Sequence, residues 1–94
     1  MTTPTIVLKL YVAGQTPRTR AALENLECVC KEALEDQCEI QVIDVLEHPQ
    51  LAEDEKILAT PTVIRELPPP LRRVIGDLSE KEKVLIGLDL VTKP

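Results

Sequence analysis

A strand, a helix and a second strand follow one another in the first half of the chain, and this order limits the available folds. Residues 5–12 form a nearly continuous apolar run rich in β-forming side chains, which predicts a buried strand. Thr16 and Pro17 predict the N-cap and first turn of a helix, whose apolar stripe continues to about residue 34. Residues 39–46 alternate well and predict a second strand. Together they predict a right-handed βαβ unit with parallel strands.

The second half of the chain predicts a short helix, two strands and a final helix. The short helix is predicted over residues 49–58, and the strands over residues 63–67 and 71–75. Three consecutive prolines at 68–70 lie between these two strands, and this segment can be neither a helix nor a central strand. The predicted order is therefore βαβαββα, an α/β domain of thioredoxin type, and the 94 residues predict one domain over 1–94.

Residues 79–91 carry two patterns that predict different structures. Ser79 followed by Glu82 is a capping box, and the apolar residues after it have helical spacing, which predicts a helix. Residues 86–90 alternate as in a strand, and Gly87 disfavours a helix interior by about 1 kcal/mol. An ordinary helix that contains a glycine is one interpretation, and a segment with two competing folds is the other.

The composition and charge limit the classes of partner that this protein can bind and the cell compartment in which it is expected. The net charge is −5 and no basic patch is interleaved with aromatic residues, which argues against nucleic-acid binding. No apolar run approaches about 18 residues, so no membrane span is predicted. The N-terminus has no signal-peptide pattern, so we expect a cytoplasmic protein. With one Tyr and no Phe or Trp, the core must be aliphatic, and partners are expected to cover remaining apolar surface.

The thioredoxin layout raises the question of redox chemistry. Thr60 and Pro61 stand where such folds carry a cis-proline beside the active site. A redox thioredoxin also needs a Cys-X-X-Cys motif at the start of the first helix, and residues 13–17 contain no cysteine. Cys28 and Cys30 lie two residues apart in the predicted helix and therefore point to different sides. A thiol oxidoreductase stays open as an alternative function.

We expect no catalytic residue, no metal and no cofactor. Cys28, Cys30 and Cys38 are expected to be reduced thiols, because the cytosol is reducing, and their spacing matches no zinc site. The single histidine, His48, precedes a proline in a polar turn. No carboxylate pair, nucleophile–base set or phosphate-binding loop surrounds it in the sequence.

Long strings across the chain carry a family resemblance. They are LKLYVAG at 8–14, VIDVL at 42–46, PQLA at 49–52, KILATPT at 56–62, LPPP at 67–70, RR at 72–73, IGDLS at 75–79 and EKVLIGLDL at 82–90. They closely resemble the KaiB family of circadian clock proteins, over about residues 5–90.

The resemblance implies a function that composition does not show. Members of this family are non-enzymatic and have two folds: a ground state of order βαββααβ, usually tetrameric, and a rarer thioredoxin-like monomer of order βαβαββα. The second fold binds the N-terminal ATPase ring of the KaiC hexamer, displaces SasA, captures KaiA and CikA, and promotes KaiC dephosphorylation. We therefore expect the free protein to self-associate as a dimer or tetramer.

The resemblance also implies roles for particular residues. It assigns partner binding to basic residues, namely Lys56, Arg65, Arg72 and Arg73. It assigns KaiA or CikA pairing to an edge strand, namely Glu39, Ile40, Gln41, Val42 and Ile43. It assigns control of fold switching to Gly87 and Asp89, so that Gly87→Ala combined with Asp89→Arg is predicted to favour the thioredoxin-like fold.

Two positions in the edge strand depart from the cyanobacterial pattern of the family. Glu39 and Gln41 stand where that pattern has a small residue and a lysine, which puts KaiA binding in doubt. The alternative is therefore a paralogue in a KaiC-linked timing or stress-response module that lacks KaiA.

Overall fold

The computed structural model describes residues 6–33, 37–76 and 78–90. Its elements are β1 (Ile6–Val12), α1 (Pro17–Ala33), β2 (Cys38–Asp44), α2 (Pro49–Asp54), β3 (Thr62–Leu67), β4 (Arg72–Ile75) and α3 (Lys81–Gly87). The order βαβαββα is the predicted one. Three predictions fall partly outside the described residues: the start of the first strand at residue 5, the end of α1 near residue 34 and the end of the last helix at residue 91.

The strands form one mixed sheet in the order β2-β1-β3-β4. β1 pairs with β2 in parallel, which confirms the predicted parallel pair of the βαβ unit. β3 is antiparallel to both β1 and β4. Within the described residues, β2 and β4 are therefore the two edges of the sheet.

An aliphatic core lies between one face of the sheet and the helices α1 and α3. It combines residues of the two central strands with the buried faces of both helices and Leu78; its buried members are Leu8, Leu10, Val12, Ala22, Leu26, Cys30, Val63, Leu78, Val84 and Leu88. Burying a Val or Leu side chain completely contributes about 1.5–3 kcal/mol, so this cluster is the main source of stability. The core is aliphatic, as the composition predicts.

Two elements end earlier than predicted, for identifiable local reasons. β2 ends at Asp44, whose Oδ1 accepts hydrogen bonds from the backbone N–H groups of Gly14 (3.1 Å) and Leu46 (2.9 Å), and this turn replaces further strand pairing. α2 ends at Asp54 rather than at residue 58, because Lys56 adopts φ of 55°, in the left-handed region, and the helix cannot continue through it.

The last segment is a helix in this structure, but not the predicted one. α3 begins at Lys81 with Glu80 as its N-cap, so the prediction that Ser79 caps the helix is wrong. The helix ends at Gly87, which is therefore its last residue and not an interior one. The alternation over residues 86–90 does not form a strand here.

A Schellman motif closes α3. The N–H of Leu90 donates to the carbonyl of Leu85 (2.8 Å), and the N–H of Asp89 donates to that of Ile86 (3.0 Å). Asp89 has φ of 56° and stands at the left-handed position of this motif, which usually holds glycine. Asp89 thus lies just outside the helix.

The prediction of three reduced cysteines is wrong for two of them. Cys30 and Cys38 form a disulfide with a Cα–Cα distance of 6.1 Å, and Cys28 is free and partly buried. The connection from α1 to β2 is short, so the last turns of the helix lie beside the first residue of the strand. Sequence spacing alone does not reveal this tertiary proximity.

No helix within the described ranges combines the length and the apolar character that crossing a bilayer would require.

Candidate partner-binding surfaces

Lys56 and Arg73 meet at the C-terminal end of α2. The guanidinium of Arg73 donates hydrogen bonds to the backbone carbonyls of Glu55 (3.0 Å) and Lys56 (3.3 Å). These carbonyls follow the last turn of α2, where a cation is favourable because unpaired carbonyl groups make that end negative. The side chain of Arg73 thus contacts the backbone of Lys56, which brings two predicted partner-binding residues together. Both side chains remain exposed.

Arg72 extends this basic surface around the edge of the sheet. It precedes Arg73 on the edge strand β4 and points to the opposite face, because successive strand residues alternate. Its side chain is exposed and contacts the carbonyl of its neighbour Leu71 (3.3 Å). We call Lys56, Arg72 and Arg73 the basic corner.

Arg65 does not belong to the basic corner. Its side chain is only 4% exposed, and its Nη1 and Nη2 atoms donate to the carbonyls of Asp89 (3.0 Å) and Pro70 (2.9 Å). In this fold Arg65 joins the end of α3 to the proline-rich segment. The structure therefore separates it from the other three predicted partner-binding residues.

The face of the sheet that carries Arg73 also carries an ion pair and a buried tyrosine. Lys9 and Glu66 form an ion pair of 2.6 Å, and the hydrogen bond to Glu66 raises the pKa of the Lys9 ammonium. Burial raises the pKa of the neighbouring Tyr11 hydroxyl, although the positive charges of Lys9 and Arg73 oppose this. Tyr11 therefore stays a neutral phenol at physiological pH, and its ring fills this face of the sheet.

The predicted edge strand is an edge in the structure. β2 pairs only with β1 among the described strands, so the other side of its backbone is free to pair with a further strand. Glu39, Gln41 and Val42 are exposed, whereas Ile40 and Ile43 are partly buried. The amide of Gln41 donates to the Glu39 carboxylate (2.7 Å), and this carboxylate is the charged group of the pair.

The place of a thioredoxin active site holds no thiol. The Thr60–Pro61 peptide bond is cis, in the conformation predicted for Pro61, and it lies beside a pocket of about 240 Å³ at the start of α1. Thr16 caps α1 as predicted, since its Oγ1 accepts the N–H of Thr19 (3.1 Å). The pocket is lined by Val12, Ala13, Thr16, Arg18, Thr19, Thr60 and Pro61.

The described residues also provide no metal-binding cluster and no catalytic setting for the single histidine. Among the described residues, no three His, Cys, Asp or Glu side chains are placed to hold a metal ion. His48 is exposed at the N-cap position of α2 and makes no side-chain capping hydrogen bond there. The predicted role of a turn residue fits this position.

The two predicted fold-switch residues occupy the junction between α3 and β4. A Cβ atom placed on Gly87 would collide with Cγ2 of Val74 on β4, so the glycine permits close packing of helix on strand. Asp89 supplies the left-handed residue of the Schellman motif, and its carbonyl accepts the Arg65 hydrogen bond. Both residues thus determine how α3 docks on the sheet.

Sequence reasoning missed three of these features. It did not find the disulfide, the contact of Arg73 with the end of α2, or the burial of Arg65. Each depends on how different elements pack together, and the two arginine contacts join positions 17 to 24 apart in the sequence. The sequence contained one usable signal: Arg65 lies on the same face of the predicted strand as the apolar residues Val63 and Leu67.

A protein-family model described as the KaiB domain matches residues 9–90, which include the basic corner, the β2 edge and α3. This chain belongs to the KaiB family. The circadian clock protein KaiB3 of Synechocystis sp. is 56% identical over 86 residues, which are 92% of this chain and 84% of that relative. The circadian clock oscillator protein KaiB of Microcystis aeruginosa is 59% identical over 87 residues, 93% of this chain and 84% of that relative.

Solved structures share the thioredoxin-like fold of this KaiB-family chain. The N-terminal domain of SasA from Synechococcus elongatus superposes with a TM-score of 0.76 at 19% identity and covers 100% of this chain and 92% of that domain. Mitochondrial thioredoxin 3 of Saccharomyces cerevisiae superposes with a TM-score of 0.71 at 16% identity, and the match covers 93% of this chain and 79% of that thioredoxin. At these identities the likeness shows the fold alone.

Proposed function

We propose that this protein is a non-enzymatic clock component whose thioredoxin-like form binds the N-terminal ATPase ring of a KaiC hexamer and promotes KaiC dephosphorylation. The observation that carries the proposal is the element order βαβαββα, which is the order that the family resemblance assigns to the KaiC-binding state. In this fold the basic corner is exposed and preorganised by the contacts of Arg73 with the end of α2. Preorganisation lowers the entropic cost of binding.

The proposed displacement of SasA is supported by a shared fold. The N-terminal domain of SasA has the same architecture as this chain, with a TM-score of 0.76. Two domains of one fold can present equivalent surfaces to one site on KaiC and then exclude each other. Competition binding with labelled SasA domain on KaiC measures this directly. Simultaneous binding of both proteins at saturation would contradict it.

The β2 edge is the surface that we assign to KaiA or CikA. An edge strand can accept a partner strand through main-chain hydrogen bonds, and its side chains then select the partner. Glu39 places an exposed carboxylate on this edge, so a partner with a basic residue opposite it is favoured.

A second fold and self-association belong to the same proposal. We propose that the free protein exchanges between this thioredoxin-like monomer and a ground state of order βαββααβ, which forms dimers or tetramers in the cytoplasm. A minor binding-competent population lowers the apparent affinity by its fraction and makes association with KaiC slow. Light scattering across protein concentrations distinguishes a lone 10.5 kDa species from an oligomer.

Binding to KaiC is tested with one matched pair of substitutions. Lys56→Gln removes an exposed cation of the basic corner, and Lys31→Gln removes an exposed cation from the last turn of α1. We expect Lys56→Gln to weaken binding to KaiC with ATP by roughly 2–10-fold, mainly through the association rate, and Lys31→Gln to leave it unchanged. No complex of the unsubstituted protein on native electrophoresis after a day would overturn the proposal, and equal effects would remove the role of the basic corner.

A module without KaiA is the second candidate function. It is favoured by Glu39 and Gln41 on the β2 edge, which stand where the cyanobacterial pattern of the family has a small residue and a lysine. Mixing the preformed KaiC complex with KaiA separates the two candidates: capture of KaiA supports the full oscillator, and its absence supports the KaiA-less module.

A thiol oxidoreductase remains the third candidate, and an insulin-reduction assay tests it. The start of α1 carries no cysteine, so no thiol is activated there by the helix dipole. We expect no turnover.

A further inference from the structure

The Cys30–Cys38 disulfide joins α1 to the edge of the sheet. Cys30 lies in the last turns of α1, and Cys38 is the first residue of β2. Their Cα atoms are 6.1 Å apart, within the usual range for bridged cysteines. The bond therefore fixes the point at which the chain enters the β2 edge.

The two sulfur atoms differ in accessibility. Cys30 is 5% exposed and belongs to the core cluster, whereas Cys38 is only partly buried. A surface groove of about 420 Å³ lies against the pair and is lined by Glu27, Cys30, Lys31, Cys38 and Ile40. The groove offers a small thiol a route to Cys38; of its two charged residues, Lys31 favours an approaching thiolate and Glu27 opposes it.

We propose that Cys30 and Cys38 form a reversible redox switch that takes dithiol reductants and controls the order of the β2 edge. Disulfides in proteins of reducing compartments are usually transient or redox-sensing, which fits a pair beside an open groove. The proposal does not depend on KaiC or on any other partner.

The exchange reaction balances with one dithiol. A thiolate of the reductant attacks Cys38 Sγ, so that a new S–S bond forms to Cys38 while the Cys30–Cys38 bond breaks and Cys30 leaves as a thiolate. The second thiol of the reductant then attacks its own half of this mixed disulfide and releases the Cys38 thiolate. Two protons and two electrons pass to the protein, and the reductant leaves as its disulfide.

Opening the bond removes a principal restraint on the start of β2. Among the described contacts, three restraints remain there: the hydrogen bond from the N–H of Ile6 to the carbonyl of Gln37 (3.1 Å), the parallel pairing of β2 with β1, and the packing of Cys38 and Ile40 against the core. Because β2 is an edge, no described strand holds its other side. Reduction therefore loosens residues 37–40 first, and with them the acidic end of the edge.

Cys28 provides an internal control. Its thiol lies on another side of α1, where Sγ donates to Oε2 of Glu32 (3.1 Å). Cys28→Ser removes one titratable thiol and leaves the Cys30–Cys38 pair intact.

The experiment equilibrates the full chain in graded mixtures of reduced and oxidised dithiothreitol, traps free thiols by alkylation and counts the adducts by intact mass and peptide mapping. Cys30 and Cys38 are expected to gain adducts together in one transition, at the same ratio in Cys28→Ser as in the unsubstituted protein. Hydrogen exchange of the reduced form is expected to be roughly ten-fold faster over residues 37–40, with no change over β3. Cys38→Ser is expected to reproduce the exchange of the reduced form under both conditions.

Each contrary result overturns the proposal. If Cys30 and Cys38 stay alkylatable under oxidising conditions, they form no disulfide and there is no redox switch. A bond that resists excess dithiol without denaturant would make it a fixed structural link. Reversible pairing with identical exchange over residues 37–40 in both states would separate the disulfide from the β2 edge.

Discussion

The guanidinium of Arg65 donates a hydrogen bond to the backbone carbonyl of Asp89 (3.0 Å), across 24 positions of the sequence. A second hydrogen bond from the same side chain reaches the carbonyl of Pro70 (2.9 Å). Arg65 is 4% exposed, so its guanidinium is largely removed from water, where an unpaired charged donor is costly, while both hydrogen bonds are part-buried. One side chain therefore links β3, the proline-rich segment and the end of α3.

Replacing Arg65 is expected to destabilise this fold. Arg65→Gln is too short to reach both carbonyls, so the free energy of unfolding should fall by about 2–3 kcal/mol. Arg72→Gln is the matched control, because the exposed Arg72 contacts only the carbonyl of its neighbour among the described bonds, and its effect should stay within about 0.5 kcal/mol. Urea unfolding measures both. Equal losses in the two variants would show that the buried position of Arg65 is unimportant.

Gly87→Ala is expected to destabilise the thioredoxin-like fold, although helix propensity alone predicts the reverse. The added methyl group would collide with Val74, and overpacking costs about 1–3 kcal/mol. Removing the glycine gains less than the roughly 1 kcal/mol of a helix interior, because Gly87 is the last residue of α3. A double-mutant cycle with Val74→Ala checks this cause. The loss should be much smaller in the Val74→Ala background, and additive effects would contradict the steric explanation.

Asp89→Gly is expected to stabilise the end of α3. Asp89 holds φ of 56° at the left-handed position of the Schellman motif, where glycine is preferred, so the gain should be about 0.5–1 kcal/mol. Asp89→Arg gains no helix propensity, because the residue lies outside the helix, and arginine is less suited than aspartate to this φ. Thermal unfolding of the two variants should therefore move in opposite directions.

Closing the Cys30–Cys38 bond is expected to raise stability. A cross-link over a sequence separation of 8 removes unfolded-state freedom worth about 2–3 kcal/mol. Urea unfolding of Cys28→Ser, with and without prior reduction, isolates this effect. A difference below about 0.5 kcal/mol would show that the unfolded chain is not restrained by the bond.

The carboxyl group of Glu32 is expected to titrate below its ordinary pKa of 4.5. The hydrogen bond from Lys81 lowers its pKa most, followed by that from Cys28. Because the folded-state pKa is depressed, the pair's contribution to stability is complete above about pH 4.5 and is lost as the pH falls through the folded-state pKa. Lys81→Met should raise the pKa of Glu32 in a carbon-13 NMR titration, and Lys83→Met, which breaks the exposed pair with Glu80, should not.

The sequence predicted the order of elements well, because each strand and helix has its own periodicity. It also located the N-cap at Thr16, where the local pattern is sufficient. It failed where tertiary contacts decide. The start of α3, the left-handed residue Asp89 and the pairing of Cys30 with Cys38 all depend on neighbours that periodicity does not specify.

The candidate site shows the same division. The structure shows that the basic corner and the β2 edge are exposed, and the partner-binding roles that the family resemblance assigns to them stay predictions. Arg65 was grouped with the surface cations because its charge is visible in the sequence and its burial is not. Partners themselves leave no periodic signal, so KaiC, KaiA, SasA and CikA stay proposals.

The cross-link between Cys30 and Cys38 also shortens the maximum length to which the unfolded chain can be extended. When the protein unfolds with the bond closed, the 8 residue steps between these cysteines cannot extend, and the 6.1 Å span of the bridge replaces them. At about 3.3–3.6 Å per residue, the fully extended chain is then shorter by roughly 20–23 Å. Oxidised molecules pulled apart in a force experiment therefore give a shorter final contour than reduced ones, so the redox state can be counted molecule by molecule without a label.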